Sequence, residues 1–595
     1  MVEKIRCGIE IHQQLNTRKL FCNCPSVIRD DSPDFHIERK IRAVVGETGE
    51  IDKAAAQEQA KSKTFVYQGY NDTTCLVELD EEPPGVMNDE ALKVAAQVAK
   101  MLDAELIDEV QVMRKTVVDG SNTTGFQRTA LIARNGKLET SQGVVRIPSI
   151  CLEEDACTII ERKKECDIYN LSRLGIPLVE IATEPDIVSG EHAKETAELI
   201  GMYLRSTGKV KRGLGTIRQD LNVSIKEGAR IEIKGAQDLR MIPKWVENEA
   251  KRQNGLVEVK NKIKEKLDGF EVIDVSKAFE ESKCKFLKNK FVAGIKIDGF
   301  EGVLGKELLP NYRVGSELAD RAKVAGFGGI IHSDENLDKY PIGGNEKDII
   351  VNKLSIMKKD AFVLAAGNKE NVIDLFENHI IPRVKQLKKG VLQEVRKAND
   401  DGSTSYLRPM PGAARMYPET DTIPVKINEE NIELPELLKD KVERFKRDHK
   451  LGEDLANEIV KKGYDFDHFV NNYQEVKPAF IAETLVSVPK TIKRKYNIDI
   501  EPTQEQLDEL FVHLDKAIIS SDSVVDILKQ INERPIQEIL KDFEMIDDKE
   551  LEQRLKEIVT ANKNTPFNGL IGIAMKELRG KASGKKISEI LKKLV

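Results

Sequence analysis

Several things are scarce in this chain of 595 residues, and each scarcity excludes something. No apolar run approaches the roughly 20 residues that cross a bilayer. The opening Met-Val-Glu-Lys-Ile-Arg has no apolar signal stretch. A cytoplasmic protein without membrane contact is therefore expected. Eight cysteines in so long a chain make no disulfide scaffold, and reduced thiols are expected. Positive charge is not in excess: 93 Lys and Arg stand against 100 Asp and Glu, a net charge of −7. There is no global pull toward nucleic acid, which leaves room for a local basic groove. Aromatics are only 5% of residues, which with the many Lys and Glu leans toward a thermophile's composition. The Gly-Lys-Ser/Thr of a P-loop is missing. The polar loop Asp119-Gly-Ser-Asn-Thr-Thr-Gly-Phe-Gln127 reads either as a backbone phosphate cradle or as a plain hairpin loop. No Ser or Thr nucleophile with a supporting base emerges, and no cysteine sits in a recognisable catalytic motif.

What is present is concentrated in one stretch. Cys151-Leu-Glu-Glu-Asp-Ala-Cys157, followed by Ile176-Pro-Leu-Val-Glu-Ile-Ala-Thr-Glu-Pro-Asp186, places acids inside apolar runs. Carboxylates in such settings need a cation, a donor or a metal. Read as a strand, Leu178, Glu180 and Ala182 share one face and Val179 and Ile181 the other. Arg6-Cys-Gly-Ile-Glu-Ile-His12 alternates likewise, putting Glu10 and His12 together, either as metal ligands or as a satisfied surface pair. Thr216–Ile225 lines one face with Arg218, Asp220, Asn222 and Ser224; Arg230–Gly235 repeats the scheme with Glu232 and Lys234. Several such strands in one mainly antiparallel sheet would form a charged floor of mixed sign. That suits a nucleotide triphosphate with magnesium, carboxylates holding the metal and Arg and Lys the phosphate oxygens.

Elsewhere the length implies about three to four domains. Helices are predicted over 52–63 and 88–102, the second with an Ala91, Val94, Ala95, Val98, Leu102 stripe. Another should run from a Ser189 cap to about Arg205, with Gly208 as its stop. From about Leu434 the pattern is helical, and the chain ends in a basic tail. Cys22 and Cys24, with Cys75 downstream, read either as the start of a zinc site, which ordinarily needs four ligands, or as inert thiols.

The motifs Gly8-Ile-Glu-Ile-His12, Leu20-Phe-Cys-Asn-Cys-Pro25, Leu152-Glu-Glu-Asp-Ala156, Ser172–Ile187, Arg218-Gln-Asp-Leu-Asn-Val-Ser224, Glu232-Ile-Lys234, Arg408–Pro424 and Asn568–Lys576 resemble, in order, the signature of the GatB/GatE family. These are the tRNA-binding kinase subunits of glutamyl-tRNA(Gln) amidotransferases. The resemblance covers most of the chain. An extra segment at about 271–387, with Asn289–Asp298 and Asp360–Gly367, looks like the insertion domain of bacterial-type aspartyl-tRNA synthetases, the mark of the family's archaeal branch. Two departures stand out. Zinc-bearing relatives carry Cys-x-Cys and then Cys-x-x-Cys, whereas here Cys75 stands alone before Leu-Val-Glu. Cys151 stands where the bacterial subunits typically have His.

The resemblance implies an α+β multidomain fold: a mainly antiparallel cradle from 1–270 plus 388–428, the insert at 271–387, a helical domain at 429–505 and a helical tail at 506–595. It implies phosphorylation of the γ-carboxyl of Glu-tRNA(Gln) by ATP and amidation with ammonia. It implies magnesium at Glu10, His12, Glu154 and Glu180, and a GatD partner, an asparaginase-like glutaminase, in a heterodimer or heterotetramer. Arg218, Lys234, Asp220 and Asn222 are inferred nucleotide and transition-state contacts, with Glu184, Ser172 and Arg173 as further nucleotide-binding candidates. Lys576, Arg579, Lys581, Lys585 and Lys586 are read as tRNA contacts favoured by the flexible Gly580 and Gly584. A non-catalytic tRNA scaffold and a metal-dependent hydrolase built on Glu10 and His12 remain as alternatives.

Overall fold

Strict alternation makes the central strands two-faced, and the chain uses that to build one large sheet. A computed structural model describes residues 4–45, 49–51, 53–60, 62–163, 165–410, 416–418, 420–562, 565–578 and 581–594. It divides into two units, 1–435 and 436–595. In the first, β1 (Arg6–Gln14), β2 (Val112–Thr116), β3 (Phe126–Thr140), β4 (Gly143–Glu154), β5 (Pro177–Ala182), β6 (Ile217–Ser224), β7 (Ile231–Lys234), β8 (Glu394–Ala398) and β9 (Thr404–Pro409) pair in the order β9-β8-β7-β6-β1-β5-β4-β3-β2. The pairing is antiparallel apart from β7 with β8, which is parallel. The loop 119–125 closes the β2–β3 hairpin, which is the plain reading of that glycine-bearing stretch.

The apolar back of this sheet, including Ile9, Ile11, Leu152, Val179, Ile181, Leu221, Val223 and Ile233, is buried. Each such side chain contributes about 2 kcal/mol. Helices α1 (Asp89–Met101), α2 (Gly190–Ser206) and α3 (Ile242–Lys262) cover it. Their starts are set by local chemistry: Asn88 Oδ1 accepts from the Glu90 and Ala91 N–H groups, and Ser189 Oγ from the His192 N–H.

The segment 271–387 carries a sheet of its own, with Phe291–Ile297 beside Ala361–Gly367. One face, with Val292, Phe362 and Leu364, closes over a small core that includes Phe279 and Leu287. The other, with Ala293, Ile295, Val363 and Ala365, belongs to the main core. Both faces are buried, which is why the strands read as unbroken apolar runs. Half of this sheet is therefore continuous with the core of the large sheet.

Polar chemistry joins them too. Arg252 of α3 bonds Glu249 and Glu317 at 2.8 Å each; Arg383 bonds Glu317 at 2.6 Å; Arg396 of β8 bonds Glu394 at 2.6 Å and the Tyr312 hydroxyl at 2.7 Å. All six charged groups are buried.

The second unit is helical. Phe445, Phe466, Leu485, Leu507 and Phe511 share one core; Leu510, Ile527 and Ile539 another; Leu551, Leu555, Leu578, Ile587 and Leu591 a third. The helix Gln504–Asp515 feeds the first two. No helix of the described residues is long and apolar enough to cross a membrane.

Candidate active site

The front of the sheet is polar because Glu10 and His12 of β1, Glu180 of β5, Arg218, Asp220 and Asn222 of β6, and Glu232 and Lys234 of β7 alternate with buried, mostly apolar residues, and the register stacks them. His12 pairs with Arg218 on one side and Glu180 on the other; Glu180 pairs with Cys151, and Glu10 with Asp220. Glu10, His12 and Glu180 offer ligand atoms that all lie within 4.8 Å of one another. His12 Nε2 is 3.6 Å from Glu10, 3.7 Å from Glu180 and 3.8 Å from Glu153.

Glu154 does not join them. Strand alternation sends Glu153 to the front and turns Glu154 away, where it accepts from the Arg128 N–H at 3.2 Å and the Arg128 guanidinium at 3.3 Å. Arg128 also holds Asp421 at 2.8 Å. Glu153, and not the expected Glu154, is the acid of this pair that faces His12. Lys115 of β2, which no sequence motif singles out, donates to Glu153 and lies 3.2 Å from Glu180.

Three carboxylates here face one ammonium. Burial pushes the Glu180 carboxyl well up, and Glu153 beside it adds to the effect. Burial pushes Glu153 up as well, but the Lys115 ammonium, hydrogen bonding with Glu180 and the nearby His12 together hold Glu153 down at about 2. Burial lowers the His12 imidazole against the pull of Glu153 and Glu10, leaving a neutral ring with a free lone pair. A donor set of hard carboxylate oxygens and one neutral imidazole, with surplus negative charge, fits a divalent cation such as magnesium.

Around this centre lies a second layer. Asp155, fully buried, accepts from Gln14 Nε2 at 2.6 Å and sits 3.1 Å from Arg218 and 3.8 Å from Arg173. Arg173 also donates to the Ala156 and Cys157 carbonyls at 2.7 Å. Ser172 is buried, its hydroxyl committed to Asn170 at 2.7 Å and to the Arg29 N–H at 3.0 Å. It braces a turn, and the structure does not bring it to the front. Glu184 lies past the end of β5, in the turn fixed by the Arg146–Asp186 ion pair (2.7 Å). Lys234 is held between Asp220 at 2.8 Å and Glu232 at 2.6 Å. Asn222 shares their face and pairs with Glu232 and Gly8. A Cβ on Gly8 would stand 3.0 Å from the Thr183 carbonyl, so the strand needs glycine there.

Behind the loop 20–25, Cys22, Cys24, Cys75 and Glu78 bring ligand atoms within 4.8 Å of one another. The Cys22 thiol donates to Glu78 Oε1 at 2.8 Å, and the buried Lys19 ammonium is 3.2 Å from the same carboxylate. Hydrogen bonding from Cys22 brings the Cys24 thiol down to about 7. Glu78 therefore stands where the four-cysteine pattern lacks its last member. It lies three residues after Cys75, the spacing that Cys-x-x-Cys would have used.

In the tail, Lys576, Lys585, Lys592 and Lys593 are exposed, and Lys586 pairs with Asp548. Lys581 is half-buried. Arg579 and Gly580 lie outside the described residues.

Residues 5–433 match the GatB/GatE catalytic domain, and residues 465–595 match the GatB domain. The chain is 46% identical to the E subunit of the glutamyl-tRNA(Gln) amidotransferase of Methanocaldococcus jannaschii, over 99% of this chain and 98% of that protein. It is 44% identical to the corresponding protein of Archaeoglobus fulgidus and 42% to that of Methanosarcina barkeri, in both cases over 99% of this chain and 97% of the relative.

Proposed function

The chain belongs to the GatB/GatE family, and from that premise we propose that it is the tRNA-dependent amidotransferase component that converts glutamate esterified to tRNA(Gln) into glutamine. The observation that carries the reading is the convergence of Glu10, His12 and Glu180, with Glu153 and Lys115, on the polar face of the sheet.

A carboxylate is a poor electrophile and hydroxide a poor leaving group. Transfer of the γ-phosphoryl group of ATP to the glutamate γ-carboxylate releases ADP and gives an acyl phosphate. Ammonia then adds to its carbonyl carbon and phosphate departs. Such chemistry asks the protein for positioning and charge neutralisation. Glu10, His12, Glu180 and Glu153 would hold magnesium, which neutralises phosphate charge when bound. Arg218 and Lys234, each already oriented by buried or half-buried acids, supply cations for phosphate oxygens. Asp220, which holds Lys234, and Asn222 are read as further nucleotide contacts. Read as not hydrolysing glutamine itself, the chain would draw its ammonia from a GatD-type glutaminase in a heterodimer or heterotetramer. We read 271–387 as the aspartyl-tRNA-synthetase-like insert and the cytoplasm as its place of work.

The test is Gln-tRNA formation from mischarged Glu-tRNA with ATP and ammonium chloride, with and without a glutaminase partner. One ATP consumed per amide formed supports the reading. Amidation without ATP, or tRNA binding with no ATP consumption, overturns it.

We read the cysteine group as a zinc site closed by Glu78. Protein purified without chelator is expected to carry one zinc. Cys24→Ser should lower its retention at least about 10-fold, and stripping the metal should lower the melting temperature, because metal binding is coupled to folding. Metal-free protein of unchanged stability would return these groups to inert thiols.

The tail is the expected tRNA contact. Removing 576–595 would strip Leu578, Ile587 and Leu591 from their core, so charge reversal is the cleaner probe. Lys585→Glu with Lys592→Glu should weaken tRNA binding and reduce its salt slope by about 1 per lost phosphate contact. The measurement is binding across a salt series, and unchanged slopes would mark these lysines as a solvated face.

A further inference from the structure

Where β9 meets the helices Val314–Val324 and Ile381–Leu387 lies a cleft of about 230 Å³. It is walled by Arg321, Arg383, Arg408, His379 and Tyr406. Arg383 is 2% exposed, and one nitrogen, Nη2, donates to Glu317 at 2.6 Å. Its Nε and Nη1 are buried with no hydrogen-bond partner among the described residues. Arg321 repeats the situation: Nη2 bonds Glu394, the guanidinium lies 3.2 Å over the Tyr406 ring centroid, and Nε has no partner among the described residues. Buried N–H groups on a cation carry the full cost of desolvation when nothing accepts from them.

The nearby acceptors are already committed. Glu317 takes Arg252 and Arg383, and Glu394 takes Arg321 and Arg396. Arg408 has no carboxylate partner among the described residues, so it adds a further positive charge at the cleft. The backbone also departs from the ordinary here. Leu375–Ile380 forms a π-helical turn that ends two residues before Pro382, which has no N–H to continue the regular ladder. Such turns are frequent at functional sites, and this one places His379 on the cleft wall.

We propose that this cleft is an oxyanion site that takes a phosphate group, with Arg383 and Arg321 as inner donors and Arg408 and His379 at the mouth. Guanidinium forks match phosphate oxygens in pairs. The space exceeds a bare phosphate and leaves room for part of a nucleotide against Leu407 and Pro382. The phosphate comes either as a small monoester or as a backbone phosphate of RNA. This site is separate from the Glu10–His12–Glu180 centre and does not depend on the reading given for it.

The test uses the full chain with no magnesium added, so that the Glu10–His12–Glu180 centre is not loaded. Inorganic phosphate, AMP and a short single-stranded RNA are titrated by calorimetry, with thermal shift as a second readout. Binding of at least one probe is expected, with a raised melting temperature, and Arg408→Glu should weaken it about tenfold or more. His379→Ala should weaken it less. Arg408 and His379 sit at the mouth outside the buried network, so these variants should fold, and their own unfolding curves check that. Phosphate and AMP binding without RNA assigns a small anion, and RNA binding alone assigns a backbone phosphate. The proposal is overturned if no probe binds at millimolar concentration, or if both variants bind as the natural chain does.

Discussion

Glu153→Gln is expected to lower ATP-dependent amidation about 100-fold while the protein stays folded, and Glu154→Gln is expected to do the reverse. The two residues are adjacent, yet the strand sends them to opposite sides. Glu153 lies 3.8 Å from His12 and binds Lys115. Glutamine there keeps a hydrogen-bond acceptor for Lys115 and removes a charge that a divalent cation needs. Glu154 instead neutralises the buried Arg128. Taking one partner from a buried pair costs about 3 kcal/mol, even though Asp421 retains the other side of Arg128. Amidation rates across a magnesium titration, alongside urea unfolding, separate the two effects. Equal phenotypes, or activity loss confined to Glu154→Gln, would sink this assignment.

The largest stability effect is expected at Glu317. Its carboxylate lies among Arg252, Arg383 and Arg396, at 2.8, 2.6 and 3.3 Å. Burial pushes its pKa up, but the three guanidiniums outweigh burial and hold it well below the ordinary carboxylate value of 4.5. Glu317→Gln leaves those cations short of a counter-charge, and a loss of about 4 kcal/mol follows at neutral pH. The depressed pKa fixes the sign of the pH dependence. A carboxyl that stays ionised in the folded state stabilises fully above the unfolded value of 4.5 and loses that contribution as pH falls toward the folded value. The gap between the natural chain and Glu317→Gln should therefore be constant down to about pH 4.5 and narrow below it. Urea midpoints measured over that range check this; a gap that widened in acid would contradict it. The same residues make excision of 271–387 a poor experiment, since it would remove Glu317 and Arg383 and leave Arg252 and Arg396 buried beside Glu249 and Glu394 alone.

Alternation is what the sequence displays best, so Glu10, His12, Glu180 and Arg218 are legible as one face, and the helices α1 and α2 as amphipathic with caps. Phase is lost where alternation stops. Leu152-Glu-Glu-Asp offers three consecutive acids at a strand end, and only the register with β5 shows that Glu153 faces front and Glu154 does not. Lys115 sits in a strand whose Met113, Arg114 and Lys115 are all half-buried, which hides its direction. Ser172 belongs to a family motif for a local reason, as a brace for Asn170 and Arg29. Glu78 escapes a search for cysteine spacing because it is a carboxylate. The continuity of 271–387 with the cradle is invisible because an unbroken apolar strand does not say which core each face enters.

The parallel pairing of β7 with β8 sets a schedule for synthesis. Lys234 meets Lys397, 163 positions later in the chain. At about 5–20 residues per second, β8 leaves the ribosome about 8–30 s after β7. During that interval β7 is a bare sheet edge, the kind of surface that recruits foreign strands. Glu232 and Lys234, alternating along that edge with opposite charge, discourage such pairing until β8 arrives. Two charges that face the polar front of the finished sheet thus have an earlier task as guards of a growing chain.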